Sequence, residues 1–254
     1  MQPYRVLQVA AVAALALAAC NRNGEAPNGA YVNGSTNTAL AVGSQPLPPS
    51  NEYQAVADTP PPPLPDYDQP PMPEPGYVWT PGYWDWSDSD DDYYWVPGVW
   101  IEPPGPGLYW TPGYWRYYDG RYLFSEGYWG PQVGFYGGVD YGYGYDGQGY
   151  DGGRWQGSQF YYNDQANNLG GRQFDRVYSQ SVHRGGNRAS YNGGPGGLRT
   201  NPGRGEIQAS QAPHARPTRS QIEAVQAARA EPQLRASVNR GAPPIAATSR
   251  PAGF

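Results

Sequence analysis

The chain has 254 residues, a formal net charge of −5, a mean hydropathy of −0.74, and only two His and one Cys. Those counts exclude a disulfide framework and a Cys-based metal site, and they leave little material for nucleophilic or general-base chemistry. All 17 basic residues are Arg; residues 1–150 carry 4 Arg against 16 acids (−12), and residues 151–254 carry 13 Arg against 6 acids (+7).

Residues 1–19 read as a leader: one Arg in the first five residues, then a nearly unbroken apolar run from Val6 to Ala19. The run is too short to span a bilayer and fits a secretory signal. It ends Leu17-Ala18-Ala19-Cys20, which resembles the bacterial lipobox, with cleavage between Ala19 and Cys20 and lipid attachment at Cys20. An ordinary signal peptide beside an incidental Cys is the competing reading. Asn21 follows the Cys, and the expected location is the outer membrane, on a side the sequence does not fix. Membrane contact through the N-terminal lipid is thus the first expected partner, and nucleic acid is not expected.

Residues 20–76 read as a disordered tether, polar at first and then Pro-rich (Thr59–Pro65, T-P-P-P-P-L-P; Pro70–Pro75, P-P-M-P-E-P). An extended polyproline run over Pro60–Pro75 would reach about 50 Å, a stalk or an unselected linker.

Residues 77–129 hold four copies of one motif: W-T-P-G-Y-W at Trp79–Trp84 and Trp110–Trp115, W-V-P-G-V-W at Trp95–Trp100, and F-S-E-G-Y-W at Phe124–Trp129. Nineteen of these 53 residues are aromatic, so a core would be made of rings. Pro-Gly every 14–16 residues forbids long helices, and Asp119-Gly120 between aromatic runs signals a hairpin. The expectation is a mostly β fold: a small antiparallel meander of four aromatic-rich strands near 77–86, 93–101, 108–118 and 121–129. Trp79 and Trp84 are five apart, so a regular strand would aim them at opposite faces. A β-bulge at each Pro-Gly supplies one extra residue and restores one shared Trp face. A tight Pro-Gly turn pairing Trp79 with Trp84 is the rival.

Residues 130–163 alternate Gly with Tyr141, Tyr143 and Tyr145, either one or two further strands on the Trp sheet ending near Phe160–Tyr162, or a mobile coil. Residues 164–254 read as a mostly disordered basic tail. A short helix is expected over 218–230, with Thr218 and Gln221 as a capping box, Pro232 as the stop, and Ile222 and Val225 as its apolar face.

With these pieces in view, the chain resembles the YXWGXW-repeat (WXXGXW-repeat) bacterial lipoproteins. The resemblance rests on the W-x-P-G-x-W units, Tyr128–Gly138 (Y-W-G-P-Q-V-G-F-Y-G-G), Tyr191–Gly197 (Y-N-G-G-P-G-G) and Ala236–Thr248. It implies a secreted lipoprotein and brings no catalytic residues. No enzymatic role and no cofactor is expected; His183 and His214 fall in the tail, and nothing positions a carboxylate pair such as Asp85 and Glu102. Asp88, Asp90 and Asp92 have calcium-like spacing, but Tyr93 and Val99 stand where such a loop needs Gly and a bidentate acid, so no metal is expected. The candidate ligand surface is the Trp face: Trp79, Trp84, Trp95, Trp100, Trp110, Trp115 and Trp129. Three uses compete for it: a core within the chain, a protein or self-association interface, and a stacking platform for envelope glycan or peptidoglycan.

Overall fold

The computed structural model describes residues 53–171, 175–183 and 186–253. The expected leader, Ala19, Cys20 and the tether up to residue 52 lie outside the described residues. The fold is mostly β, with small sheets of aromatic-rich strands and short helices.

After β1 (Tyr53–Ala57), the repeat block forms two long antiparallel hairpins instead of one meander. In the first, β2 (Val78–Thr80) and β3 (Tyr83–Ser87) are one arm, and β4 (Asp92–Val96) and β5 (Gly98–Ile101) the other; β2 pairs β5 and β3 pairs β4. In the second, β6 (Tyr109–Thr111) and β7 (Tyr114–Tyr118) face β8 (Arg121–Ser125) and β9 (Tyr128–Gly130), with β6 on β9 and β7 on β8. Its tip is the predicted Asp119-Gly120 turn, with φ of 46° and 85°, as a type I′ turn requires. No ladder joins β5 to β6, because E-P-P-G-P-G (102–107) is a linker, not a turn.

The Pro-Gly sites are neither bulges nor turns. Thr80 pairs with Val99 and Tyr83 with Val96, so two residues intervene on each strand and the register never shifts. Both strands leave the ladder together, Pro81-Gly82 opposite Pro97-Gly98, and rejoin it. The two glycines make this possible by close approach: a Cβ on Gly82 would lie 2.8 Å from the Gly98 nitrogen and 2.4 Å from Trp95 Cζ2. Parity is restored by this paired interruption, and the rings do share one face within each hairpin. Trp79 meets Trp100 (centroids 5.4 Å), Trp84 meets Trp95 (5.2 Å), Trp110 meets Trp129 (5.3 Å) and Trp115 meets Phe124 (5.1 Å). Such cross-strand ring pairs contribute on the order of 1 kcal/mol each beyond area burial.

Parts of the segments expected to be disordered cover the edges of these hairpins. β1 pairs with β8, Tyr191–Asn192 with β7, and Ala247–Thr248 with β5, closing edges that would otherwise be open templates. The Pro-rich run is no stalk: Leu64 and Met72 are buried in the aromatic core. The Gly/Tyr segment makes two small hairpins of its own, Asp140–Gly142 with Tyr145–Asp146 and Gly153–Gln156 with Gln159–Asn163, and does not extend a Trp ladder. Gly142, Tyr143 and Gly144 all have positive φ, so the chain turns where an alternating strand was expected.

Helix α1 (Arg204–Gln211) precedes α2 (Arg219–Ala230), which starts on the predicted Thr218–Gln221 capping box and stops before Pro232; α3 (Ala236–Asn239) follows. The buried face of α2 is Gln221, Ala224 and Ala228. Of the two expected apolar residues, Val225 packs beside them against the cluster of Tyr94 and Val96, whereas Ile222 is 45% exposed. Small side chains let the helix sit close to the sheet, which the hydrophobic pattern alone misplaces.

Candidate functional site

All seven candidate Trp residues are core. Trp79, Trp84, Trp95, Trp100, Trp115 and Trp129 are at most 1% exposed and Trp110 is 6% exposed, so none offers a ring face to solvent. The exposed stacking platform is thereby corrected. An indole N–H only donates, and a proline backbone only accepts, so the two suit each other once buried. Trp84 Nε1 donates to the Pro63 carbonyl at 3.2 Å and Trp100 Nε1 to that of Pro70 at 2.8 Å. Elsewhere Trp95 Nε1 reaches Ala246 O (2.9 Å), Trp115 Nε1 reaches Trp84 O (2.7 Å) and Trp129 Nε1 reaches Gln221 Oε1 (2.8 Å). Tyr hydroxyls work alike: Tyr141 donates to Gly113 O and Tyr145 to Trp110 O. Burial pushes the phenols of Tyr67, Tyr83, Tyr93, Tyr94, Tyr141 and Tyr145 well above their ordinary range, and that of Tyr162 to about 12.

The other candidates serve docking. Asp90 pairs with Arg235 (3.1 Å) and Asp92 accepts the Ser237 hydroxyl (2.6 Å), which ties the acidic turn to the start of α3. His214 lies against Tyr128, ring centroids 4.3 Å apart. Asp85 and Glu102 are not brought together: Asp85 accepts the Tyr94 hydroxyl (2.8 Å), and Glu102 is exposed. Burial raises the pKa of Asp85 against the Tyr94 and Trp86 hydrogen bonds; burial and then the Asp85 charge raise that of Glu126. Both line a smaller groove of about 310 Å³ beneath α2.

A larger groove, about 740 Å³, opens on the far side of the Pro-rich run. Leu64–Asp68 form one wall, Asp140–Tyr143 another, and Asp164–Asn168 a third. The first wall is pinned by Arg188: its backbone O accepts Leu64 N (2.8 Å), its Nε donates to Leu64 O (2.6 Å), and its Nη1 meets Asp66 Oδ2 (2.8 Å). The third is pinned by Asn168, whose backbone N–H donates to Gln69 Oε1 (2.6 Å) and whose Nδ2 donates to Gln69 O (2.9 Å). Tyr67 and Tyr143 stand half-buried at its base, their rings 5.6 Å apart and tilted by 32°, with the Tyr143 hydroxyl donating to the Tyr67 carbonyl. Burial raises the Asp140 carboxyl, opposed by the Gly142 amide and by His183. Sequence reading missed this site, since its walls come from three segments read as tether, coil and tail.

Two copies of the WXXGXW repeat model match, at residues 75–100 and 105–129, and each match spans one hairpin. The chain thus carries two WXXGXW repeats. Each copy contains two six-residue motifs facing each other across the ladder, W-x-P-G-x-W in three cases and F-S-E-G-Y-W at Phe124–Trp129. The first ring of each motif lies over the glycine of the other: Trp79 over Gly98, Trp95 over Gly82, Trp110 over Gly127 and Phe124 over Gly113. Among curated proteins and among solved structures, nothing matches the chain.

Proposed function

We propose that this WXXGXW-repeat protein is a lipid-anchored component of the cell envelope, held at the outer membrane through Cys20, with a structural or interaction role and no chemistry of its own. The observation that carries the reading is the burial of the repeat rings, with the N–H groups of Trp84, Trp95, Trp100, Trp115 and Trp129 bonded inside the chain: the repeat is a scaffold that fixes surfaces elsewhere. The Leu17-Ala18-Ala19-Cys20 sequence supports the anchor.

Two measurements test it. In cell fractionation the full-length protein is expected in the membrane fraction and Cys20→Ala in the soluble one; a membrane-bound variant would remove the anchor. In the purified protein, tryptophan emission is expected to be shielded from acrylamide. Strong quenching that peptidoglycan suppresses would return the Trp face to a glycan-binding role.

A further inference from the structure

We infer that the 740 Å³ groove between the Pro-rich run and the Gly/Tyr hairpin binds a sugar chain free of acidic groups. The inference deepens the interaction reading, naming a ligand class for a scaffold that holds no exposed Trp platform. Its volume lies within the usual range for small-ligand sites, and it holds the two things a sugar ring needs. The first is a pair of half-buried tyrosine rings, Tyr67 and Tyr143, whose apolar bodies can lie under the C–H face of a pyranose. The second is planar acceptors for hydroxyls: Asp68 and Asp140 on two walls, and Asn167 on the third. Asn167 is 8% exposed, and although its Nδ2 donates to Gly152 O and Asn163 O, its Oδ1 accepts no hydrogen bond. A buried acceptor left in that state is costly, and since this oxygen is itself shielded from solvent, a ligand donor would reach it only by a side-chain shift at the groove wall.

Charge selects among sugars. Five carboxylates line the groove (Asp66, Asp68, Asp140, Asp146 and Asp164), against His183 and Arg188 among the described residues, and Arg188 is already bonded to Asp66. Uronate, sulfate or phosphate groups would be repelled, while neutral and amine-bearing sugars would not. A basic peptide would satisfy the charges too, but peptide grooves offer an open strand edge or deep apolar anchors. Here the amide and carbonyl of Leu64 are both taken by Arg188, and Pro65 has no N–H to give.

The test is calorimetric titration of the full-length protein with four probes: N-acetylated chitotetraose, its deacetylated form, an oligogalacturonate and tetra-arginine. The first two are expected to bind and the last two not. Asp68→Ala, at an exposed position, and Asp140→Asn should each weaken binding roughly tenfold, as loss of one charged hydrogen-bonding group does. Tyr143→Gly should do the same while relieving a non-glycine residue at φ 54°, and a circular dichroism spectrum matching the parent would show that it folds. No binding of either chitosan-type probe, binding of tetra-arginine or oligogalacturonate instead, or unchanged affinity in all three variants overturns the proposal. Shielding of the tryptophans from acrylamide is read in the absence of any sugar, so failure of the scaffold reading and failure of this one remain distinct.

Discussion

The hairpin at 77–101 and the hairpin at 109–130 follow one plan with two departures. Phe124 stands in the second where Trp95 stands in the first, and Glu126 where Pro97 stands. The register is the same in both: Thr80/Val99 then Tyr83/Val96 in one, Thr111/Tyr128 then Tyr114/Ser125 in the other. The interruption therefore does not depend on a proline in both strands, since Pro112 stands opposite a motif that has none. What stays constant is the opposed glycine pair, with an aromatic ring laid over each: a Cβ on Gly127 would sit 2.9 Å from the Gly113 nitrogen and 2.4 Å from Trp110 Cζ2. The lost indole of Phe124 is compensated by stacking on Tyr83, at 5.4 Å and 10°.

The largest test of this equivalence is alkali. Phenols of both hairpins have raised pKa values, and Tyr145 donates to Trp110 O in the second while lying 3.5 Å from Trp79 O in the first. A raised phenol pKa means the folded state holds its proton longer than the unfolded one. Stability is therefore intact below about pH 10 and lost as pH rises beyond it. Tyrosinate absorbance and far-ultraviolet circular dichroism are expected to change in one shared transition. Two separate transitions would mean the hairpins are independent units.

A sharper test sets glycine against proline in one dipeptide. Gly98→Ala puts a methyl 2.6 Å from Trp79 Cζ2 and 2.9 Å from the Gly82 nitrogen, and should cost about 3 kcal/mol in urea unfolding. Pro97→Ala, which mirrors the proline-free motif at Glu126, should cost under about 1 kcal/mol. Equal costs would make the proline as necessary as the glycine. The smallest effect separates two indoles at equivalent positions. Trp95→Phe removes the bond to Ala246 O and should cost about 2 kcal/mol in the same unfolding assay; Trp79→Phe should cost about 1 kcal/mol or less, because Trp79 Nε1 is buried with no hydrogen-bond partner.

The sequence made the repeats, the shared ring face within each hairpin, the Asp119-Gly120 turn and the α2 capping box legible, because each is set by neighbours within a few residues. It misled on the Pro-Gly geometry, since an odd spacing between rings can be corrected on one strand or on both, and only the partner strand decides. It misled most on the flanks. Pro60–Pro75 and the Arg/Gly-rich tail have little local preference for order, and their order comes from acceptors and edges far along the chain: Ser190 Oγ on Pro62 O, Leu64 N on Arg188 O, Ala215 on Trp129. The sugar groove was invisible for the same reason, as its walls meet only after those pairings form.

The strand at Ala247–Thr248 lies on β5, far along the chain from its partner, and β1 lies on β8 from the other flank. Residues 102–246 must therefore be translated before the first hairpin acquires this neighbour. Loop closure over such separations is slow. A nascent or truncated form ending before residue 247 would display the unpaired edge of β5, which makes it a natural client for holding chaperones and a ready substrate for proteases until synthesis is complete.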